Sequence, residues 1–322
     1  MLNLKDHKIF VEDAVDKLDR PFYYVQDIKN WLKIGGILAE TEEEADVIAV
    51  GNPHKLRTDN KKLIYYNLDS PCQINSWERQ WILDNDPDEI WRSSTYRTPY
   101  SINQDQLELW PEDVCTDIEI DLNKIRLLPS YWYSQPMKVF RDAIKKTTRP
   151  TWDQRKTIVS CIISTYYEDC LPVETHRWEW FNELKKVCRQ LKVHSFLNPH
   201  ICCTQAAYWQ HLMNARIVIS PWGYGASCWR DYEAIIAGCH LVKPPCNFVL
   251  QSPDIYNENY MKFCNKSDLA DTITELLRDP PVSNPIPIDE LSWMGFSPPQ
   301  SPPQGVQAAD AVCAPCEEIT KD

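Results

Sequence analysis

The densest chemistry in this sequence lies in residues 217–244, IVISPWGYGASCWRDYEAIIAGCHLVKP, where an arginine and a glutamate follow a loop with two glycines. An apolar strand runs into Ser220, the loop carries Gly223 and Gly225, a helix opens near residues 227–230, and a second apolar strand closes the unit. At such a junction the first N–H groups of the helix lack partners and the helix dipole favours an anion. Glycines let the backbone come close to that anion. Arg230 supplies a planar fork of donors suited to phosphate. Glu233, on roughly the same helix face, supplies a carboxylate able to accept both hydroxyls of a ribose or sugar ring. This chemistry suits a nucleotide diphosphate. The plainer alternative is an i,i+3 ion pair between the two side chains, which stabilises an exposed helix only weakly.

The run over residues 220–244 resembles the signature of exostosin-like glycosyltransferases, Ser-Pro-x-Gly…Arg-x-x-Glu-Ala-x-x-x-Gly-Cys. PDIY at 253–256 and SDLADTITELL at 267–277 resemble the downstream part of that domain. The resemblance is strongest over 217–277, weaker over 157–210 and thin before residue 151. Within the family the chain is most similar to the compact, anchor-free members from large algal DNA viruses, the chloroviruses, whose favoured donor sugar is xylose. The resemblance implies a GT-B fold: two Rossmann-like, doubly wound parallel-sheet domains facing across a cleft, with the donor held by the second. It implies transfer of a sugar, xylose from UDP-xylose in first place, to a glycan or glycoprotein acceptor with inversion. No cofactor beyond the UDP-sugar donor is implied. The matching donor-binding positions are Arg230 and Glu233, plus the loop residues Pro221, Trp222, Gly223, Tyr224, Gly225, Ser227 and Cys228. The stem and membrane anchor of most exostosins have no counterpart, which favours the cytoplasm, the host's in a viral setting, over the Golgi. The alternative is a non-catalytic carbohydrate- or nucleotide-binding protein on the same scaffold.

Further candidates surround this segment. Ser164, Thr165 and Tyr166 follow the first strand of the second half, a place for donor phosphates or an ordinary strand-end loop. Arg177, early in the next helix, and Lys243, after the closing strand, are candidate cations. An inverting transfer needs a base to deprotonate the acceptor hydroxyl. In a GT-B enzyme that base is expected from the first domain. Asp69, directly after an apolar strand, is preferred, and His54 in VGNPH comes second, with Glu78 and Asp27 in reserve. Asp69 also suits an Asx-turn before Pro71. Asp84-Asn85-Asp86, with Asp88 close behind, imitates a metal-binding DxD motif, but its polar setting reads as a solvated turn, so no metal is expected.

The elements that must position these groups read as alternating strands and helices. Strands are expected at 8–11, 21–25 (PFYYV), 46–50, 62–67 and 89–93, with helices over 25–34 and 76–83 capped by Asp27 and Ser76. After a polar linker at 145–154, strands at 157–164, 193–197, 216–220 and 239–242 alternate with helices at 174–191, 204–214 and 231–237. Strands apolar on both faces imply parallel sheets covered on both sides. The expected organisation is therefore an acceptor domain over 1–147, a donor domain over 148–279 and a Pro-rich, mostly disordered tail over 280–322. The tail holds one apolar island, IDELSWMGF at 288–296.

Bulk properties exclude several classes. A chain of 322 residues exceeds one ordinary core. A net charge of −12 opposes a nucleic-acid surface, which needs a Lys/Arg footprint. No apolar run reaches the ~20 residues of a membrane span, and the N-terminus lacks a signal-peptide core. The 13 scattered cysteines read as reduced, buried thiols, and the single Cys313–Cys316 pair supplies only half of a zinc site.

Overall fold

The computed structural model describes residues 2–12, 23–51, 61–67, 76–92, 94–96, 121–128, 139–140, 142–144, 149–166, 171–200, 204–223, 227–246, 249–251 and 254–280. His54, Asp69, Tyr224, Gly225 and the tail from 281 lie outside them.

The first sheet is parallel, in the order β1 (Ile9–Val11), β2 (Val47–Val50), β3 (Lys62–Asn67), β4 (Glu89–Arg92), β6 (Ile125–Leu127). Leu38 extends it beyond β1, because Ile9 pairs with Leu38 in parallel and bonds the carbonyl of Ile37 and the amide of Ala39. The chain therefore leaves β1, returns on one side at Leu38, and crosses to the other side at β2. α1 (Tyr23–Ile34) covers one face through Val25, Ile28, Trp31 and Leu32, which cluster with Ile9, Val47 and Trp91. α2 (Ser76–Asn85) covers the other through Trp81 and Ile82, packed on Ile48, Tyr65 and Ile90.

Two local expectations fail here. Residues 23–25 are helical rather than a strand, because Val25 belongs to the i, i+3, i+7 stripe that α1 buries. A short apolar run such as PFYYV satisfies either period. For the same reason Asp27 sits inside α1 and does not cap it.

The second sheet runs β12 (Met261–Phe263), β10 (His240–Lys243), β9 (Ala215–Ile219), β7 (Thr157–Ile162), β8 (Ser195–Asn198), all parallel. α3 (Leu171–Leu191) and α6 (Leu269–Arg278) pack on one face, with Phe181, Leu184, Val187, Ile273 and Leu276 against Val159 and Ile217. Each such fully buried side chain contributes about 1.5–3 kcal/mol. α4 (Gln205–Asn214) and α5 (Trp229–Ile236) cover the opposite face. That core reaches back before the linker, since Phe140 stacks on Trp209 at 4.6 Å and Ile144 joins the same cluster. The expected linker holds a short 3-10 turn at Trp152–Gln154, with the amide of Thr151 donating to Gln154 Oε1 at 2.9 Å. A small antiparallel ladder joins β5 (Ser94–Tyr96) to β11 (Val249–Gln251).

The chain is thus α/β, with two successive doubly wound parallel sheets of five strands each, the layout of the GT-B class. Cys161, Cys188, Cys239, Cys246 and Cys264 are free and buried, and Cys228 is free and half-buried. Among the described residues no helix is long and apolar enough to cross a membrane.

Candidate functional site

In the second sheet the strand order reverses between β7 and β9, which lie side by side while their connections leave in opposite directions. Such a switch point opens a crevice beyond the carboxyl ends of its strands, and ligands of doubly wound sheets bind there. The described residues at this crevice are 163–166 after β7, and 220–223 and 227–228 after β9. Ser164, Thr165, Pro221, Trp222, Gly223, Ser227 and Cys228 all stand among them.

Beneath the second loop lies a buried polar cluster centred on Asp231, the third residue of α5. Its carboxylate accepts from Ser220 Oγ at 2.7 Å, Tyr256 Oη at 2.6 Å, the Cys228 amide at 3.1 Å and Cys228 Sγ at 3.1 Å. Lys243 Nζ, at the end of β10, pairs with it at 3.0 Å and also donates to the Ser220 carbonyl at 3.2 Å. Burial by itself would raise the Asp231 carboxyl, but Lys243 and the hydrogen bonds from Tyr256, Ser220 and Cys228 hold it below the ordinary aspartate value. Burial likewise opposes the Lys243 charge, and Asp231 overrides it. The pair is ionised and fully enclosed. Lys243 is therefore committed to Asp231 and is not a cation open to phosphate.

Arg230, next to Asp231, is the contrasting case. Its Nη1 donates to Ser220 Oγ at 3.3 Å, and no carboxylate among the described residues lies within ion-pair distance. Its Nε is buried without a hydrogen-bond partner. Burial disfavours the charge, yet Cys228, Tyr208, Cys161 and Asp231 raise the guanidinium above its ordinary value. It stays a cation with spare donors in the first turn of α5. A desolvated donor of this kind costs about 1–3 kcal/mol until something accepts from it.

Glu233, one turn on, does not pair with Arg230. Its two oxygens accept from Tyr208 Oη at 2.8 Å and Trp209 Nε1 at 3.2 Å, both on α4. Burial raises its carboxyl, and the two donors and Arg230 offset part of that rise. The i,i+3 ion pair considered from the sequence is absent. A carboxylate fixed by two neutral donors keeps lone pairs for hydroxyls.

Arg177 has a different place from the one its sequence position suggests. From α3 it donates through Nε to the Trp222 carbonyl at 2.7 Å and through Nη1 to the Ser164 carbonyl at 2.8 Å. It thereby ties together the two loops of the crevice. His176 beside it stacks on Trp222 at 5.5 Å, and burial, then Arg177 and Lys266, lower its imidazole to about 4, so the ring is neutral. Thr165 Oγ1 donates to the Pro199 carbonyl at 3.0 Å, and Ser164 Oγ to the Tyr166 carbonyl at 3.1 Å.

The first half supplies less. Its own order reverses between β1 and β2, and the loop after β2 carries His54, that after β3 Asp69, both outside the described residues. Glu78 is not a spare base: it accepts from Tyr65 Oη at 2.7 Å and Asn67 Nδ2 at 2.7 Å and faces Arg92 at 3.5 Å, fully buried. Asp27 is half-buried, and burial raises its carboxyl to about 6. The DxD-like run stands at the amino end of the sheet, away from the ligand-binding edge. Asp84 accepts from Gln80, Asp86 pairs with Lys124 and Asp88 accepts from the Leu63 amide, each separately.

Sequence reasoning passed over Asp231, Tyr256, Tyr208, Trp209 and His176. The Cys228-x-x-Asp231 spacing was a readable capping signal. The others meet the site only through tertiary packing.

No family model matches the sequence, and no curated protein matches it. Among solved structures, the chain is similar to a UDP-GlcNAc 2-epimerase of Methanocaldococcus jannaschii in complex with UDP-GlcNAc and UDP. That match has 11% identity and a TM-score of 0.39, over 82% of this chain and 76% of the other. A putative UDP-N-acetylglucosamine 2-epimerase from Listeria monocytogenes gives 12% identity and a TM-score of 0.36, over 79% of this chain and 69% of that one. An MnaA–UDP complex from S. aureus gives 10% and 0.37, over 79% and 71%.

Proposed function

We propose that the chain processes a nucleotide sugar, and that it is a glycosyltransferase whose donor diphosphate binds at the crevice between β7 and β9. The observation that carries this reading is Arg230: a cation with a buried, unpartnered donor at a helix N-terminus, on the ligand-binding edge of a doubly wound sheet. Glu233 accepts hydroxyls of the ribose or sugar. The exostosin-like run favours a UDP-linked donor, with xylose first, and a glycan or glycoprotein acceptor.

In this mechanism the sugar carbon is attacked by the acceptor oxygen as the bond to the diphosphate breaks, with inversion and without a metal. Arg230 and the amides opening α5 stabilise the charge that develops on the leaving diphosphate. A base from the first half, Asp69 or His54, takes the acceptor proton. In the sequence Asp69 comes after β3 and His54 after β2, the strand beside the order reversal.

The test is a panel of nucleotide sugars screened by thermal shift, followed by transfer assays with the donor that binds. A ligand at 100 times its dissociation constant adds about 2.7 kcal/mol to stability. Transfer should vanish in Glu233→Ala and in Asp69→Asn. Binding without turnover across donors and acceptors would establish a carbohydrate- or nucleotide-binding protein instead, and no binding at all would remove the reading.

A further inference from the structure

On the back of the second sheet, α3 and the edge strand β8 enclose a groove of about 520 Å³, which is ligand-sized. Its floor is mostly apolar, from Phe181, Cys188, Val193, Leu197 and Pro199, with Ser195 among them. Its rim is cationic, from Lys185, Arg189 and Lys192. Lys185 and Arg189 stand at i and i+4 on α3, Lys192 follows the helix with φ 52°, all three are exposed, and none has an ion-pair partner among the described residues. Neighbouring Lys186 does, with Glu183 at 3.3 Å. Like charges at i and i+4, as Lys185 and Arg189 are, destabilise a helix. In a chain of net charge −12, a basic cluster that no described carboxylate pairs with, beside an apolar trough, calls for an acidic, apolar occupant. β8 also leaves one edge of the sheet without a neighbouring strand among the described residues, and native proteins generally cover such edges.

The sequence contains a segment of that composition. Residues 288–296, IDELSWMGF, combine adjacent Asp289 and Glu290 with Ile288, Leu291, Trp293, Met294 and Phe296. Nothing in the donor site uses it. The tail from 280 to 322 as a whole carries six carboxylate side chains against one lysine.

The geometry of departure suits the same pairing. α3 runs from the carboxyl end of β7 back to the amino end of β8, and α6 likewise runs back from the carboxyl end of β12. The two helices pack side by side, so the chain leaves Arg278 at the end of the sheet where α3 finishes. Nine residues separate Arg278 from Ile288, and the ten steps between the two span up to ~33 Å when extended. Packed helix axes lie ~10 Å apart, so crossing α3 to its far flank takes roughly 20 Å. Tethering on a linker this short supplies an effective concentration in the millimolar range.

We infer that residues 288–296 dock within the same chain into the groove between α3 and β8, with the Asp289–Glu290 pair against Lys185, Arg189 and Lys192 and the apolar side chains on the Phe181–Leu197 floor. The inference is independent of the donor-site reading.

Amide hydrogen exchange on the full-length protein tests it. Exchange over 288–296, each amide taken relative to its intrinsic rate, should be at least about tenfold slower than over the more polar stretch 300–310, the equivalent of 1.4 kcal/mol of local closure. The protection should vanish in Trp293→Ala/Phe296→Ala and in Lys185→Glu/Arg189→Glu/Lys192→Glu. It should return when the groove variant also carries Asp289→Lys/Glu290→Lys. Unprotected exchange over 288–296 in the unaltered protein overturns the proposal. Protection that survives the groove charge reversal also overturns it, by placing the segment elsewhere. Protection that fades on dilution overturns docking within one chain and assigns the groove to a second copy.

Discussion

The units β3–α2–β4 and β9–α5–β10 repeat one design with different outcomes. In each, the third residue of the helix is a fully buried acid, Glu78 or Asp231. In each, the last residue of the following strand is a fully buried cation, Arg92 or Lys243. A residue at the end of the preceding strand bonds the acid, Asn67 or Ser220, and a tyrosine completes the set, Tyr65 or Tyr256. The shared pair is scaffold: it fastens a helix start to the strand beside it. The difference lies on the rest of the helix. α5 adds Arg230 and Glu233, one with an unpartnered donor and one with a positioned carboxylate. The corresponding positions of α2 are Trp77 and Gln80, and Gln80 bonds the exposed Asp84 on its own helix. Two residues on a common scaffold separate the proposed donor site from its counterpart in the first half.

The largest expected effect addresses the scaffold. Lys243→Ala and Arg92→Ala should each destabilise by about 3–5 kcal/mol in denaturant titration, because each strands a buried carboxylate. Milder changes then separate the units: Asp231→Asn should weaken UDP binding, while Glu78→Gln should leave it unchanged in the folded protein. Equal loss from both would erase the distinction. Next in size, Arg230→Ala should weaken UDP by about 30-fold, from roughly 2 kcal/mol for a charged hydrogen bond, while the melting temperature holds or rises. A fall in melting temperature with UDP affinity intact would make Arg230 structural. Arg177→Lys should cost about 1 kcal/mol by losing one of two carbonyl bridges, seen as faster exchange at residues 163–166 and a UDP affinity a few-fold lower.

The smallest effect has opposite sign in the two halves. Asp27 has an unfolded value of 3.8 and a folded value of about 6, so the folded state binds the extra proton and stability falls as pH rises between them. His176 and His240 are lowered from 6.5 to about 4, by burial first, so the unfolded state binds the extra protons and stability rises with pH over that range. Acidification from pH 6.5 to 4 should therefore steady the first half and loosen the second. Asp27→Asn should flatten the first trend and His176→Gln should reduce the second, as local exchange rates at each pH will show.

Legibility in the sequence followed the same division. The second half announced itself because its elements are long or capped: TIVSCI is a continuous buried strand, α3 carries a full apolar stripe, and Thr204 caps α4 by accepting from the Ala207 amide. The first half misled at PFYYV, where five apolar residues fit two periods and only packing of Val25 under Ile28 selects the helix. β5, β6, β11 and β12 have three residues each, too few for a period to register. The order reversal between β7 and β9 and the place of Arg230 in the first turn of α5 were readable from local pattern. The Asp231–Lys243 pair was not, because nothing in a sequence says which of two adjacent cations has already found its anion.

α5 is only eight residues long, too short to hold its shape in water unaided. Its start is locked by Asp231. Its end is locked by Arg155, which reaches from just after the linker to the carbonyls of Ala237 at 2.7 Å and Ala215 at 2.6 Å. The chain turns there at Gly238 with φ 74°, where a Cβ would meet Arg155 Nη2 at 2.9 Å. With both ends fixed, the ordering entropy of this helix is spent in folding and not in binding. The diphosphate of the proposed function would then meet a receptor already in its final shape, so tuning its affinity would be a matter of how fast it leaves rather than of how the protein rearranges.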